Sequence, residues 1–429
     1  MTDDSRSRGV LASPFQIAGL TLRNRFVLSP MAVLQPTADG RPSEQTIAFL
    51  TRRVRGGVGL VIVGGGIATA RGYDEAPFHP IMRFDRDDFV PDLRRMVDAV
   101  HEAGSAIFAQ LMPSFGAMGV PAPDRPTRAA SPSGVRMGAP RLPRGLYVPG
   151  GRTMPPPTEI SIAAIRELQD EVVAAARRSR EAGFDGVEVA AHMRYLYSSF
   201  LSPRTNWRTD EYGGSVENRA RILVDAVRAI RAEVGVDYPV GLRLSVNEHL
   251  PDGQGPEGFA EVTAVIAREG LGYVALTDGN YESMDANLPE HSGAMLDHGE
   301  PQIFRAALPG VPLLLSNTYD PEQAAAAIQA GHADAIMLAR QLLADPDYPR
   351  KVLEGRLDEI VWCDHGNACL RRLMTNVPVH CHKNPEMGRE SPTAPRSTAR
   401  QDLFIRAAGS PLLMSIAGLA AKAAPKRRP

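Results

Sequence analysis

Eight short apolar runs recur along the chain, and stretches with helical spacing of apolar residues lie between them. Such runs, bounded by turn residues, are typical of buried strands in a parallel sheet. We place the eight strands at residues 26–29, 60–63, 106–111, 186–189, 240–244, 273–277, 312–315 and 335–338. Alternating strands and helices predict βα units, and eight such units close into an α/β fold of the TIM (β/α)8 barrel type.

Glycines mark where several of the predicted helices end. Gly104, Gly183, Gly270 and Gly331 each precede an apolar run. Glycine adopts the left-handed conformation that commonly terminates a helix, because it has no Cβ to clash there. The spacing of these glycines therefore supports the same eight units.

Segments outside the repeat define the predicted domain organisation. Residues 15–24 alternate apolar and polar positions around a glycine, which predicts a small N-terminal hairpin that caps the barrel. Residues 113–158 form a long connection rich in proline and glycine, and we expect them to cover an active site. The barrel is predicted to span residues 1–388, including a cysteine-containing segment at 362–381, and residues 389–429 are predicted to form a weakly ordered C-terminal tail.

Composition narrows the range of partners and compartments. The chain has 429 residues, 43% of them hydrophobic, which is enough for one large core. Lys plus Arg number 48 against 49 Asp plus Glu, so no net charge attracts nucleic acid, and we expect a small-molecule substrate. Three cysteines and no apolar leader predict a cytoplasmic protein. The apolar run at 411–421 is too short for a membrane span, and we interpret it as a tail with a basic end.

Several residues are predicted to meet where the barrel strands end. Ligands of such barrels bind at the carboxyl ends of the strands, and phosphate groups bind to the loops after strands seven and eight. Gln110 ends the third strand and Arg243 lies within the fifth, so both need polar partners, which for Arg243 means an anion or an interior carboxylate. The glycines at 64–66 are as consistent with a tight turn as with a binding loop.

One motif follows the fourth strand. Residues 195–221 read YLYSSFLSPRTNWRTDEYGGSVENRAR, and Ser215, three residues before Asn218, predicts the start of a helix. This run of residues resembles the old yellow enzyme family of FMN-dependent NADH:flavin oxidoreductases, whose barrels carry a near-identical run after strand four. The segment IMLARQLLADP at 336–346 is similar to the family's eighth-strand segment.

The resemblance implies a site for FMN, with NAD(P)H as a transient co-substrate. No GxGxxG follows a strand, so a Rossmann domain for a bound dinucleotide is not expected. In the family pattern Arg243 meets N1 and O2 of the flavin, and Arg340 meets its phosphate. Tyr195 stands where the family keeps a proton-donating tyrosine. The residues expected to bind FMN are Pro30, Met31, Ala32, Gly65, Gln110, Arg243, Ser316, Asn317, Ala339 and Arg340.

The chain differs from the family pattern at two positions shortly before Tyr195. Family members that reduce enones carry two hydrogen-bond donors at the positions of Ala190 and Met193, and neither residue here can bind a carbonyl oxygen. Losing one such donor costs on the order of 100-fold to 1000-fold in rate, so the ordinary enone mechanism is not expected. His192 and Arg194 lie nearby but out of register. The expected substrate pocket consists of Ala190, His192, Met193 and Tyr281.

The 2,4-dienoyl-CoA reductase branch resembles the chain better, because it lacks the donor pair and keeps the tyrosine. In that branch a histidine after strand six assists the tyrosine. Here the sequence DGNYESM offers Asp278, Tyr281 or Glu282 instead, and the sequence does not choose among them. The further flavin and nucleotide domains of the branch are not expected in this chain.

The branch's four-cysteine motif for an iron–sulfur cluster, C-x2-C-x3-C-x11-C, is incomplete here. Cys369 and Cys381 have the right spacing, but Trp362 and His365 occupy the first two positions, and Cys363 is one place out of step. Two thiolates and one imidazole can hold zinc, yet we expect a metal-free remnant without an iron–sulfur cluster.

The predicted function is NAD(P)H-driven hydride transfer through FMN to an activated alkene, by an ene-reductase or a dienoyl-CoA reductase-like enzyme. A flavin-dependent amine or alcohol dehydrogenase, or a demethylase, is an alternative. A flavin-binding barrel without catalysis is a second alternative, suggested by the missing donors. Barrels of this kind often pair, so a homo-oligomer is also considered. The substrate and the choice between NADH and NADPH stay open.

Overall fold

A computed structural model of the chain describes residues 3–137, 142–143, 145–146, 152–410 and 412–413. The N-terminal part consists of helix α1 (Asp3–Ala12) and an antiparallel hairpin of strands β1 (Phe15–Ile17) and β2 (Leu20–Leu22). Phe15, Ile17 and Leu22 pack against the interior side chains of the barrel. The hairpin therefore caps the N-terminal end of the barrel, which confirms its predicted role.

The centre of the molecule is a closed barrel of eight parallel strands. Their count and their places in the chain confirm the predicted fold class. The barrel strands are β3 (Phe26–Leu28), β4 (Leu60–Val63), β5 (Ala106–Leu111), β10 (Gly186–Ala191), β11 (Val240–Ser245), β12 (Tyr273–Thr277), β13 (Leu313–Ser316) and β14 (Ala335–Leu338), while β6 (Arg128–Ala129), β7 (Arg136–Met137), β8 (Arg152–Thr153) and β9 (Thr158–Glu159) lie in the connection after β5.

Helices surround the barrel, and their apolar faces pack against the outward-facing side chains of the strands. The remaining helices are α2 (Glu44–Arg55), α3 (Ala70–Asp74), α4 (Val90–Glu102), α5 (Ile162–Glu181), α6 (Ser198–Leu201), α7 (Val216–Val234), α8 (Pro256–Ala267), α9 (Met284–Asn287), α10 (Ala294–His298), α11 (Glu300–Ala307), α12 (Pro321–Gln329), α13 (Arg340–Ala344), α14 (Tyr348–Glu354), α15 (Ala368–Met374) and α16 (Ala399–Ala408). None of the helices in these described ranges is both long and apolar enough to cross a membrane.

The predicted helix boundaries agree with the observed ones. The Ser215 hydroxyl caps α7 by accepting a hydrogen bond from the Asn218 backbone N–H at 3.3 Å. The four glycines after α4, α5, α8 and α12 all have positive φ, with values of 94°, 93°, 84° and 73° along the chain. Each glycine reverses the chain toward the next strand, as its lack of a Cβ permits.

Strand β10 extends two residues further than predicted, through Ala190 and Ala191. These residues continue the parallel ladder with β11, where Ala190 pairs with Arg243 and Ala191 with Leu244. Alanine is weak as a strand signal in sequence, because its small side chain gains little from packing on a pleated sheet. The extension carries the strand to the edge of the predicted substrate pocket.

The connection at 113–158 is held close to the barrel mouth by polar contacts. Its described part contains two short strand pairs, β6 with β9 and β7 with β8. The Ala130 N–H donates to the Ser199 hydroxyl at 2.9 Å, and the buried Arg208 guanidinium donates to the Ala130 carbonyl at 3.2 Å. Residues 138–141, 144 and 147–151 of this connection lie outside the described residues.

Part of the segment predicted as a tail carries regular structure. Arg53, fully buried in α2, forms an ion pair with Glu390 at 2.7 Å, and Arg372 donates to Asp402 of α16 at 2.9 Å. Thr398 caps α16. The domain boundary at residue 388 stays a prediction. Of the apolar run at 411–421 and the basic residues beyond it, only residues 412 and 413 are among those described.

Replacing Glu390 with alanine is expected to lower the free energy of unfolding by about 3 kcal/mol, because Arg53 would keep its charge in the interior without a partner. Burial lowers the pKa of Arg53 only to about 10, so the guanidinium stays charged at neutral pH. Urea denaturation measures the change. The control Glu354→Ala removes an exposed ion pair with Arg356 and should cost less than about 0.5 kcal/mol. Equal effects would mean that residues beyond 388 do not help to hold the barrel.

Candidate active site

A cavity of about 260 Å³ opens at the carboxyl ends of the barrel strands. All ten residues expected to bind FMN line it, namely Pro30, Met31, Ala32, Gly65, Gln110, Arg243, Ser316, Asn317, Ala339 and Arg340. The walls also include Tyr195, His192, Met193 and Tyr281. The structure therefore brings the predicted cofactor residues and most of the predicted substrate residues to a single site.

The glycines after β4 serve two different purposes. A Cβ on Gly64 would lie 2.1 Å from the Met31 nitrogen, and a Cβ on Gly66 would lie 2.0 Å from the Gln110 carbonyl oxygen. These two glycines are required for the close packing of neighbouring strand ends. Gly65, with a φ of 70°, is the member of the triplet that lines the cavity. Gly64 and Gly66 therefore fit the interpretation of the triplet as a tight turn, and Gly65 fits its interpretation as a binding loop.

A buried polar cluster lies at the centre of the barrel below the cavity. Glu188 of β10 accepts hydrogen bonds from Gln110 at 2.8 Å and from the Tyr273 hydroxyl at 3.0 Å. Burial raises the pKa of Glu188, while the positive charge of Arg243 opposes that shift. Glu188 was not among the predicted site residues, although a charged residue in an otherwise apolar strand is a signal that a partner must be present.

The Arg243 guanidinium is buried, and the protein does not fully satisfy it. It makes only a 3.3 Å contact to the Met337 sulfur and a 3.5 Å contact to the Ser316 hydroxyl, and its Nε has no hydrogen-bond partner. Arg243 forms no ion pair with a carboxylate among the described residues, although the charge of Glu188 acts on it from a distance. Burial lowers the pKa of Arg243. An anionic ligand atom in the cavity would satisfy the group.

A second buried guanidinium lies at the other end of the cavity. Arg340 begins helix α13 and donates to the side-chain oxygen of Asn367 at 3.1 Å and to the Pro289 carbonyl at 3.0 Å. These are neutral acceptors, and burial lowers the pKa of Arg340. Ser316 ends β13 and Asn317 follows it, and both line the same cavity as Arg340, as expected for a phosphate-binding end of the barrel. The two arginines thus suit a ligand such as FMN, which carries a phosphate at one end and, at the other, a hydrogen-bond-accepting ring edge that becomes anionic on reduction.

Two tyrosines share a hydrogen bond in the cavity wall. The hydroxyl groups of Tyr195 and Tyr281 lie 2.9 Å apart. Burial raises the pKa of Tyr281 to about 12, and burial together with the neighbouring phenol raises the pKa of Tyr195 well above its ordinary value. Both phenols therefore hold their protons at neutral pH.

The structure distinguishes the three residues offered by the loop after β12. Asp278 contacts His249 at 2.7 Å, and Glu282 forms ion pairs with Arg194 at 3.1 Å and Arg204 at 2.9 Å. Of the three, Tyr281 is the residue whose side chain reaches Tyr195. Tyr281 is thus placed to occupy the role that the sequence left open.

The positions of the missing donors are apolar in the structure as well. Ala190 is completely buried beneath the cavity wall, and the Met193 side chain lines the cavity. Met193 and Arg194 have φ values of 57° and 62°, a left-handed conformation that is uncommon for such residues. Arg194 uses its guanidinium to bind Glu282 and the Ser133 carbonyl, so it holds the covering segment.

His192 lines the cavity, and its ring packs against Tyr195 with the centroids 5.3 Å apart. Burial lowers the pKa of His192 well below its ordinary value, and the nearby charge of Arg243 adds to the shift. The imidazole is therefore neutral. Its buried Nδ1 has no hydrogen-bond partner among the residues that the structure describes.

The cysteine segment forms part of the same cavity. Cys363, His365 and Cys369 line it, whereas Cys381 does not. The His365 Nε2 lies 2.9 Å from the Tyr319 hydroxyl. Burial raises the pKa of the Cys369 thiol to about 11, which keeps this sulfur protonated. In the described part of the chain, these residues do not form a group of three or more metal-ligating side chains.

These features define a class of protein, a (β/α)8 barrel with an arginine-bearing cavity at the carboxyl ends of its strands. Residues 10–359 match the family model described as the NADH:flavin oxidoreductase / NADH oxidase family. The chain belongs to this family, which includes the old yellow enzymes.

Curated relatives and solved structures are similar over most of the chain. A metal reductase of Desulforamulus reducens is 34% identical over 89% of this chain and 54% of its own length, and a cinnamate reductase of Clostridium sporogenes is 32% identical over 89% and 58%. The structure of a 2-naphthoyl-CoA reductase aligns with a TM-score of 0.78 at 27% identity, covering 89% of this chain and 58% of the other. The chain thus spans a little over half the length of these relatives.

Replacing Arg243 with methionine is expected to weaken FMN binding on the order of 100-fold, because a buried charge-assisted hydrogen bond to the flavin would be lost. Titration of flavin-free protein with FMN, followed by flavin fluorescence, measures the dissociation constant. The control Arg228→Met changes an exposed arginine of α7 and should leave the constant unchanged. An unaltered constant in Arg243→Met would mean that the flavin is held elsewhere.

Proposed function

We propose that this protein uses FMN and NAD(P)H to reduce an activated carbon–carbon double bond in a planar, largely apolar substrate. The proposal is carried by the hydrogen-bonded pair of Tyr195 and Tyr281, which faces the same cavity as Arg243. Bound FMN would supply hydride transfer between the nicotinamide and the substrate. The residues of the chain supply binding, orientation and the proton.

The cofactor would be held by residues whose polar groups the protein leaves partly unsatisfied. Arg243 would meet the pyrimidine side of the flavin, and Arg340 the phosphate. The amide of Gln110 is fixed by its hydrogen bond to Glu188, so it presents a constant orientation to the cavity. Gly65, without a side chain, allows the backbone to approach the ring. A fixed positive charge at Arg243 favours the anionic, reduced form of such a ligand.

Tyr195 would donate the proton that completes the reduction at the substrate α-carbon. A phenol transfers a proton efficiently to a strongly basic, developing carbanion when water is excluded. Its raised pKa keeps Tyr195 protonated until that moment. Tyr281 fixes the orientation of the phenol through the 2.9 Å hydrogen bond, and can pass a proton back to it afterwards. Protonated tyrosines suit reduction better than oxidation, which requires a base.

The walls around the two tyrosines indicate the substrate class. Phe115 packs edge-on against Tyr195 and against Phe78, with ring centroids 5.3 Å and 6.1 Å apart. Ala190 and Met193 offer no hydrogen bond to a carbonyl oxygen, so the substrate must be held by apolar contact more than by a polar anchor. Aryl or polyenyl acids and their thioesters have the required flat, conjugated shape. The names of the cinnamate and 2-naphthoyl-CoA reductases among the similar proteins agree with this class.

The dienoyl-CoA reductase branch remains the reference for the mechanism, with Tyr281 in place of its assisting histidine. In this proposal the cysteine segment is a wall of the cofactor cavity that holds no iron–sulfur cluster. Its support is the replacement of two cluster positions by Trp362 and His365 and the raised pKa of the Cys369 thiol.

Tyr195→Phe should slow alkene reduction about 100-fold or more, because the proton would have to come from elsewhere. Reduction of the flavin by NAD(P)H should keep nearly its normal rate, since that half of the reaction needs no proton donor to carbon. Anaerobic stopped-flow measurement of the two half-reactions, with a cinnamate or a dienoyl thioester as acceptor, separates the rates. Equal slowing of both halves would contradict the role of Tyr195.

Two further observations test the proposal as a whole. If substrate alone bleached the flavin without NAD(P)H, the protein would be a dehydrogenase of an amine or alcohol. If the purified protein were colourless and gained no flavin absorbance on addition of FMN, every flavin-dependent function would fail. The control Tyr238→Phe changes a partly buried tyrosine whose hydroxyl donates to the Phe184 carbonyl, away from the cavity, and should leave both half-reactions unchanged.

A further inference from the structure

Four side chains that take no part in the cofactor cavity converge on its outer side. They are His249 in the loop after β11, Asp278 directly after β12, His298 at the end of α10 and Glu300 at the start of α11. One nitrogen or oxygen atom from each lies within 4.8 Å of all the others. Two imidazoles and two carboxylates are thus gathered from four separate elements.

The distances within this group suit a small metal ion. The His249 Nε2 lies 2.7 Å from the Asp278 Oδ1 and 3.5 Å from the Glu300 Oε1, and the His298 Nδ1 lies 3.9 Å from the same Glu300 oxygen. Tetrahedral zinc with bonds of about 2.0–2.1 Å places neighbouring ligand atoms on the order of 3.3 Å apart. The observed distances lie on both sides of that value, so small side-chain rotations would complete the geometry.

The two carboxylates need a counter-charge. Asp278 and Glu300 are each only 1% exposed, and one oxygen of each, Oδ2 and Oε2 respectively, is buried without a hydrogen-bond partner. Buried carboxylates this close together are costly unless a cation lies between them.

We propose that His249, Asp278, His298 and Glu300 bind a divalent transition-metal ion of the Zn²⁺ type. Two nitrogen and two oxygen ligands suit zinc, whereas Mg²⁺ and Ca²⁺ prefer sites built from oxygen alone. The His298 side chain is 53% exposed and gives the ion a path from solvent. Asn247 donates to the Glu300 Oε1 at 2.9 Å and orients that ligand, as outer groups commonly do in metal sites.

The ion would link the loop after β11 to the segment between Asp278 and Glu300. That segment carries Tyr281 and Asn287 to the cavity wall, and the Asn287 side chain donates to the Asp278 carbonyl at 2.7 Å. The metal is therefore a structural ion that stabilises one wall of the active site. This inference does not depend on which reaction the cavity performs.

The test is zinc uptake by the purified full chain, freed of metal with a chelator and then dialysed against Zn²⁺. We expect about one tightly bound zinc per chain by elemental analysis, and a loss of at least 10-fold in affinity for His298→Ala. Because His298 is exposed, this change should not disturb folding. The matched control His291→Ala removes another exposed histidine, which contacts Asp297 at 3.4 Å, and should leave uptake unchanged.

A double variant, Cys369→Ser with Cys381→Ser, distinguishes this site from the cysteine segment. Zinc uptake should persist in the double variant, and added Zn²⁺ should raise the melting temperature of the wild type and of the double variant by more than that of His298→Ala. No uptake by the wild type, or equal uptake by His298→Ala, would overturn the proposal. Uptake that disappears in the cysteine variant would likewise overturn it.

Discussion

The structure depends on keeping charged groups inside a barrel that is otherwise filled with apolar side chains. Arg243 and Glu188 project from neighbouring strands into the interior, where isolated charges are costly. Glu188 is satisfied by Gln110 and Tyr273, but Arg243 is left with weak contacts and an unpartnered Nε. The protein thus leaves one cation incompletely compensated at the floor of its cavity. A ligand with an anionic edge is the simplest completion of this arrangement.

The same two strands explain where the chain departs from its family. Ala190 on β10 pairs directly with Arg243 on β11, so any side chain at position 190 would compete for the space beside the guanidinium. An alanine there, together with Met193, makes that wall apolar. His192, which packs against Tyr195, is kept neutral by burial, which lowers its pKa, and by the nearby charge of Arg243. Ala190 and Met193 lie in the same packed cluster as Tyr195 and Tyr281, whose hydroxyls are 2.9 Å apart. The difference from the family pattern thus falls on the predicted substrate positions, while the residues expected to bind FMN line the same cavity.

The sequence was sufficient for the barrel because two physical signals coincide, short apolar runs and glycines where helices end. The residues expected to bind FMN line one cavity because parallel strands bring their carboxyl ends to a single mouth, and their role in holding the cofactor stays a prediction. Glu188 was visible as a charge in an apolar strand but was not recognised. The selection of Tyr281 over Asp278 and Glu282 could not be read from the chain. Gly279, with a φ of 58°, sets the turn that sends Asp278 outward and Tyr281 toward Tyr195.

That turn connects the cavity with the cluster of side chains around Asp278. A Cβ on Gly279 would lie 2.5 Å from the Ser283 carbonyl oxygen, so the loop can close only around glycine. The Gly279 carbonyl accepts from Ser245, whose hydroxyl also receives the Met193 N–H at 3.3 Å. The strained Met193 backbone, the loop that carries Tyr281 and the Asp278 carboxylate are therefore joined through one serine. Any change in how Asp278 is held must alter the same backbone that positions both tyrosines.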